Sequence, residues 1–234
     1  MTAGAFTAAA ESASPAPARA ARRLAVPGRD LVEALVMAAL LAAYARTFLV
    51  QPFRIPSSSM APALLAGDQL LVNRFVYGPT RWQWEHRLLP ARPPRRGDVA
   101  VFRYPRDPRI PYVKRVLGVP GESVLLRRRE LLVDDRPLDE RGYAHHSDAA
   151  SYPESVLVDP FYGRRDNFGP VTVPPASWFV LGDNRELSAD SRFWGFVPRS
   201  HLLGRAVAVY WSWQPANGNT GGRPRWRRIL RPVR

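Results

Sequence analysis

Three short stretches of this chain carry residue types from which a hydrolytic site can be built. Ile55-Pro56-Ser57-Ser58-Ser59-Met60-Ala61-Pro62 sets three consecutive serines between prolines that keep the strip extended or turning. Tyr112-Val113-Lys114-Arg115-Val116-Leu117 holds the one lysine of a chain whose Lys and Arg total 34, every other member being arginine. GDNRELSADSRFWGFVP, residues 182–198, combines turn formers with Ser188, Ser191 and an Asp190/Arg192 pair two residues apart. A serine hydroxyl is a useful nucleophile only when a base takes its proton. None of the four histidines, His86, His145, His146 and His201, falls in these stretches, and His145 and His146 would point to opposite faces of an extended chain and read as solvated loop residues.

Lysine is then the remaining base, because arginine keeps its proton at any accessible pH whereas a lysine buried among apolar groups can lose it. On a strand Tyr112, Lys114 and Val116 share one face, so Lys114 sits between two sizeable neighbours able to desolvate it. Lowering its pKa by about three units takes roughly 4 kcal/mol, which burial can supply. Each stretch also has a plainer reading: a polar linker, a chance lysine, a charged loop. Against the linker, the serines are flanked by Ile55, Met60, Leu64 and Leu65 rather than by glycine and polar residues.

The remaining composition closes off other chemistries. With no cysteine there is no thiol nucleophile, disulfide or thiolate metal site, and the compartment stays open. No G-x-S-x-G, H-E-x-x-H or Gly-Lys phosphate loop is present. At 234 residues, 46% hydrophobic, the chain has ample material for a packed core, and its net charge of +14 is concentrated toward the ends.

The elements that must position the three stretches read as follows. Residues 1–28 are a disordered basic leader of Ala, Ser, Pro and Arg. Residues 29–50 read as a transmembrane anchor of about twenty residues, with Glu33 and Arg46 near its ends where they can snorkel. Two alternatives, a signal peptide cleaved after Ala43-Tyr44-Ala45 and a buried core helix, are disfavoured by an unbroken helix ahead of Ala45 and by the lack of a polar face. Arginines crowd the N-terminal flank, which places the N-terminus in the cytoplasm and the body outside. From 51 to 213 the texture is antiparallel β, with runs at 67–75, 97–105, 112–122, 123–137, 177–184 and 204–213 bounded by Gly, Pro and Asp. Residues 138–170 read as an insertion, and 214–234 as a basic tail, either disordered or adsorbed to a membrane surface. Nucleic acid is not an expected partner of an exported body.

In their order and wording, the anchor, IPSSSMAPALLAGD, RGDVAVFRYP, YVKRVLGVPGE and GDNRELSADSRFWGFVP together resemble type I signal peptidases, membrane-bound Ser/Lys proteases, over most of residues 31–213. The resemblance implies a mainly β fold, an antiparallel catalytic body with one N-terminal transmembrane helix, in a bacterial inner membrane with the catalytic domain on the periplasmic side. It implies Ser59 as nucleophile, Lys114 as general base, and an oxyanion hole of the Ser57 hydroxyl and the Ser59 amide. Ser188 would hydrogen-bond the lysine amine, with Asp183, Asp190 and Arg192 supporting that loop, and Ile55 and Val113 would line pockets for small residues. No metal or organic cofactor is implied, and the partners are signal-peptide-bearing preproteins and the lipid bilayer. Ser58 stands where glycine is common in the family and Ala63 where threonine is frequent. Two other classes remain open on residues alone: a self-cleaving Ser/Lys repressor, lacking here a DNA-binding helical domain, and a non-enzymatic basic membrane protein.

Overall fold

The structure, a computed structural model, describes residues 28–44, 50–77, 91–149, 160–216 and 221–233. His86 and all of the expected leader except Gly28 lie outside them. The chain divides into two units, 1–41 and 42–234.

In the first unit the Ala- and Leu-rich run begins helix α1, Gly28–Tyr44, opened by an Arg29–Glu33 ion pair one turn apart at 3.0 Å. Its large apolar residues, among them Leu35 and Leu40 at 60%, are exposed. The helix has 17 residues, about 25 Å at 1.5 Å per residue. Among the described residues no helix is long and apolar enough to cross a membrane. Of the expected anchor, 29–50, the described helix covers the part up to Tyr44 and Val50 opens a strand, while residues 45–49 lie outside the described residues.

The second unit is built on antiparallel strands. The principal sheet contains β1 (Val50–Arg54), β2 (Asp68–Asn73), β3 (Val99–Tyr104) and β4 (Asp107–Gly118). A second, smaller sheet uses β5 (Ser123–Arg127), β6 (Glu130–Val133), β7 (Arg136–Pro137) and, after the short helix α2 (Pro160–Asp166), β8 (Phe168–Thr172). The principal sheet resumes with β9 (Ser177–Leu181), then a helical turn α3 (Ser191–Trp194), β10 (Val197–Pro198), β11 (Leu202–Gln214), β12 (Arg223–Pro224) and β13 (Arg231–Pro232). Its strand order is β1-β2-β11-β3-β4-β9-β10, with β12 and β13 also on β11; the smaller sheet runs β7-β6-β5-β8.

The run 123–137 is three strands rather than one. Two-residue turns at Arg128-Arg129 and Asp134-Asp135, all four at positive φ, fold it back twice. Paired positive φ gives the twist that suits a tight hairpin. Asp accepts that region more readily than most side chains, but Arg-Arg carries no such signature in sequence.

Alternation along β2, buried at Asp68, Leu70 and Val72, sends one face into a core cluster with Ile55, Met60, Leu64 and Val113. That cluster lies under the serine strip. A second gathers Phe102, Val116, Trp178 and Trp194, and a third Leu117, Val124 and Phe179 beside the smaller sheet.

The C-terminal segment, expected as a loose or membrane-adsorbed tail, instead folds back on β11 through β12 and β13. Two of its arginines, Arg225 and Arg228, face a buried acid, Asp68, which fastens a run that reads as a solvated charge cluster.

Candidate active site

The serine strip is a loop closed at its base. The Ile55 amide donates to Asp68 O at 2.8 Å and the Gly67 amide to Ile55 O at 2.9 Å, so residues 56–66 leave and rejoin the sheet at one point. Met60 and Leu64, 1% and 0% exposed, plug the loop into the core, with the Leu64 amide bonded to Met60 O at 2.8 Å. The serines are thereby pinned from one side. Gly67, at φ +92°, makes the turn into β2; a Cβ there would meet Trp213 O at 2.0 Å.

Lys114 comes from β4, 55 residues further along, and its Nζ lies 2.5 Å from Ser59 Oγ. Both side chains are buried, Ser59 at 8% and Lys114 at 4% exposure. No ion pair reaches Lys114 among the described residues; its ammonium sits 5.6 Å from the centre of the Tyr112 ring. Burial lowers its pKa to about 8, opposed by the more distant charges of Asp190 and Asp183 and aided by Arg192. Ser57 Oγ is 3.3 Å from Ser59 Oγ. A cavity of about 320 Å³ opens over this pair, walled by Ile55 and Val113 and by the exposed rim residues Ile110 and Leu187. The expected lysine base, the serine nucleophile, the neighbouring hydroxyl and both pocket residues therefore meet at one place.

Residues 182–190 form the third side. The Asn184 amide donates to Ser59 O at 3.1 Å, tying this loop to the strip. Gly182 is needed for the approach, since a Cβ there would stand 2.2 Å from Ser188 Oγ and 2.5 Å from Ser59 O. Asp183 accepts from two guanidinium nitrogens of Arg115, Nε and Nη2, at 2.7 Å each. Burial raises the Asp183 pKa against the pull of Arg115. For the fully buried Asp190, burial pushes the carboxyl up, but Arg192, Ser188 and the Gly182 amide outweigh it and hold it below the usual carboxylate range. Asp190 and Arg192 pair at 2.8 Å, as their spacing suggested, though by a different route. Asp190 caps α3 from an extended conformation and Arg192 lies inside the helical turn.

Ser188 is buried at 3%, but its hydroxyl makes no hydrogen bond of regular geometry, and so does not hold the Lys114 amine as expected; it contributes instead to the field at Asp190. His146 is paired with Glu186 at 2.8 Å rather than merely solvated, His145 bridges to Asn184 through its backbone, and His201 reaches Arg103 O.

Several residues the sequence did not single out support the site. Arg115 ties β4 to Asp183 and lies 4.4 Å from the centre of the Tyr143 ring; Arg185 pairs with Glu140; Arg228 pairs with Asp68. Asp68 and Asp183 each follow a glycine in a Gly-Asp turn, a local signal of a needed acid, but their partners lie too far along the chain for spacing to show.

A buried lysine touching a serine hydroxyl beside a cavity, on an antiparallel β body, belongs to the serine peptidase class. Comparison with known proteins agrees: the sequence matches the family described as Signal peptidase, peptidase S26, over residues 28–211. It is 36% identical over 190 residues to signal peptidase I of Pseudomonas aeruginosa, covering 72% of this chain and 67% of that one. It is 35% identical over 192 residues to signal peptidase I of Leptolyngbya laminosa, covering 79% and 80%. The chain belongs to the signal peptidase family, peptidase S26, and is a serine endopeptidase.

Proposed function

We propose that this enzyme removes N-terminal signal peptides from exported proteins, cutting after small residues of the Ala-x-Ala kind, with Ser59 and Lys114 as its catalytic pair. The observation that carries this reading is the 2.5 Å contact between Lys114 Nζ and Ser59 Oγ in a dry setting that brings the lysine pKa to about 8. Near pH 7 about one molecule in ten then holds a neutral amine, against roughly one in a few thousand for an ordinary lysine.

The neutral amine accepts the Ser59 proton, and the oxygen attacks the scissile carbonyl carbon. The resulting oxyanion takes hydrogen bonds from the Ser57 hydroxyl and the Ser59 amide. Collapse breaks the C–N bond, Lys114 returns the proton to the leaving amine, and an acyl ester remains on Ser59. Water, deprotonated by the same lysine, hydrolyses that ester. Ile55 and Val113 give the cavity apolar walls that suit alanine-sized side chains. The stretch Ile110–Lys114 of β4 pairs with β3 on one side only, which leaves an edge along which an extended substrate can add. Ser188, Asp183, Asp190 and Arg192 hold the third side of the site without reacting.

The enzyme is held in a bacterial inner membrane by the apolar segment that includes α1, N-terminus in the cytoplasm and peptidase domain outside. The exposure of Leu31, Leu35 and Leu40 supports this, since such a face is poorly suited to water. A 17-residue helix can serve when flanking arginines snorkel and the bilayer thins locally. The experiment is cleavage of a preprotein bearing Ala-x-Ala by full-length enzyme in detergent or vesicles, beside Ser59→Ala. A single cut after the second alanine that Ser59→Ala abolishes is expected; an active Ser59→Ala enzyme refutes the mechanism.

A further inference from the structure

The C-terminal segment lies past residue 211, where the family match ends, and it is fastened to the serine strip rather than merely to the sheet. Arg228 Nη2 donates to Ala63 O at 2.8 Å and to Asp68 Oδ2 at 2.6 Å, while its Nε reaches Asp68 Oδ1 at 3.1 Å. Arg225 Nη1 donates to Ala66 O at 3.0 Å. Asp68, fully buried, in turn accepts the Leu65 amide at 2.9 Å and the Ser212 hydroxyl at 2.6 Å, and its carbonyl closes the loop at Ile55. The bonds at Ala63, Leu65 and Ala66 fall between Ser59 and β2, and the bond at Ile55 closes the loop on its other side.

Besides this clamp the segment pairs with β11 through β12 and β13 and packs the partly buried Val233 against the core. Its largest apolar residues, Trp226 and Leu230, are 70% and 75% exposed, whereas Arg228 is buried. Beside the clamp a cavity of about 590 Å³ separates Pro62, Ala63 and Leu65 from Arg231–Val233. Met60 and Leu64 hold the strip from the core side, but on the side facing this cavity the arginine clamp is what holds Ala63 and Ala66.

We infer that Arg228, assisted by Arg225, is a positioning residue for the peptidase reaction: from the chain's end it clamps the backbone behind Ser59 and holds the nucleophile against Lys114. This rests on Ser59 and Lys114 being the catalytic pair. An unclamped strip draws Ser59 Oγ away and admits water to Lys114.

The test uses full-length enzyme in detergent, preprotein cleavage as readout, and Arg228→Ala, Arg228→Lys and Arg225→Ala. Arg228→Ala is expected to lower kcat about 100-fold while KM changes less than about threefold, the size of loss that an ångström of misplacement produces. Its rate is expected to climb to higher pH than wild type, because Lys114 is rehydrated. Arg228→Lys, which keeps one donor, recovers part of kcat, and guanidinium ion below denaturing concentrations partly rescues the alanine variant. Should Arg228→Ala fail to fold, Arg225→Ala at the more exposed partner still loses kcat about threefold, by loss of one hydrogen bond. A folded Arg228→Ala with unchanged kcat and pH profile overturns the inference, as does an Arg225→Ala enzyme with wild-type kcat if that variant alone folds. Neither result touches the catalytic assignment, which fails only if Ser59→Ala or Lys114→Arg remains active.

Discussion

Lys114 and Arg115 are consecutive residues on one strand, both almost wholly buried, and their surroundings are opposite. Arg115 meets a carboxylate head-on, with Asp183 taking two of its nitrogens at 2.7 Å and Gly97 O a third at 2.9 Å. Lys114 meets a neutral hydroxyl and an aromatic ring, with both carboxylates that influence it lying beyond ion-pair distance. One burial is compensated by a paired carboxylate. The other is not, and the lysine pKa falls to about 8. Strand alternation lets a single element do both, since neighbours face opposite sides. Arg115 fixes the strand to the 182–190 loop, and Lys114 is left free to titrate.

The largest effect expected from disturbing this contrast follows Lys114→Arg. A guanidinium cannot accept the serine proton, and preprotein cleavage should fall by about a thousandfold or more, as for loss of a general base, while circular dichroism is unchanged. Next comes Arg115→Ala, which leaves Asp183 buried without its partner; denaturant unfolding should show a loss of about 3–5 kcal/mol.

Lys114→Met should do the reverse. The folded-state pKa of about 8 lies below the unfolded value, so between about pH 8 and 10.5 the unfolded chain binds more protons and stability rises with pH. Below about pH 8 the full penalty of the buried ammonium applies, and there Lys114→Met should be more stable than wild type by about 3 kcal/mol. The advantage should vanish by about pH 10.5 in unfolding measured across that range. In the wild type, kcat/KM should rise about tenfold per pH unit and level off above about pH 8. The smallest effect is expected at Asp139, whose pair with Arg141 is fully solvated; Asp139→Asn should leave Tm and cleavage unaltered.

The strands from 67 to 118 and from 177 to 213 were legible because alternating apolar residues between Gly, Pro and Asp have one economical use. The turns at Arg128-Arg129 were not, since nothing in that dipeptide marks positive φ. Lys114 could be singled out because it is the one lysine in the chain, whereas Ser59, Ile55 and Val113 were named only through the family resemblance. The sequence places Ser188 in the right loop but does not set which way its hydroxyl turns there.

The amino-acid sequence by itself determined which group could release a proton, as the one lysine among arginines, and which elements would carry it and the serine to the same β body. Only the tertiary structure decided that 2.5 Å separates them, that among the described residues no carboxylate pairs with the lysine, and that Asp68 and Arg228, 160 residues apart, meet behind Ser59. Residue type and local pattern are properties of short stretches. Desolvation and long-range ion pairing depend on what the rest of the chain packs around a group, and come into being only when it folds.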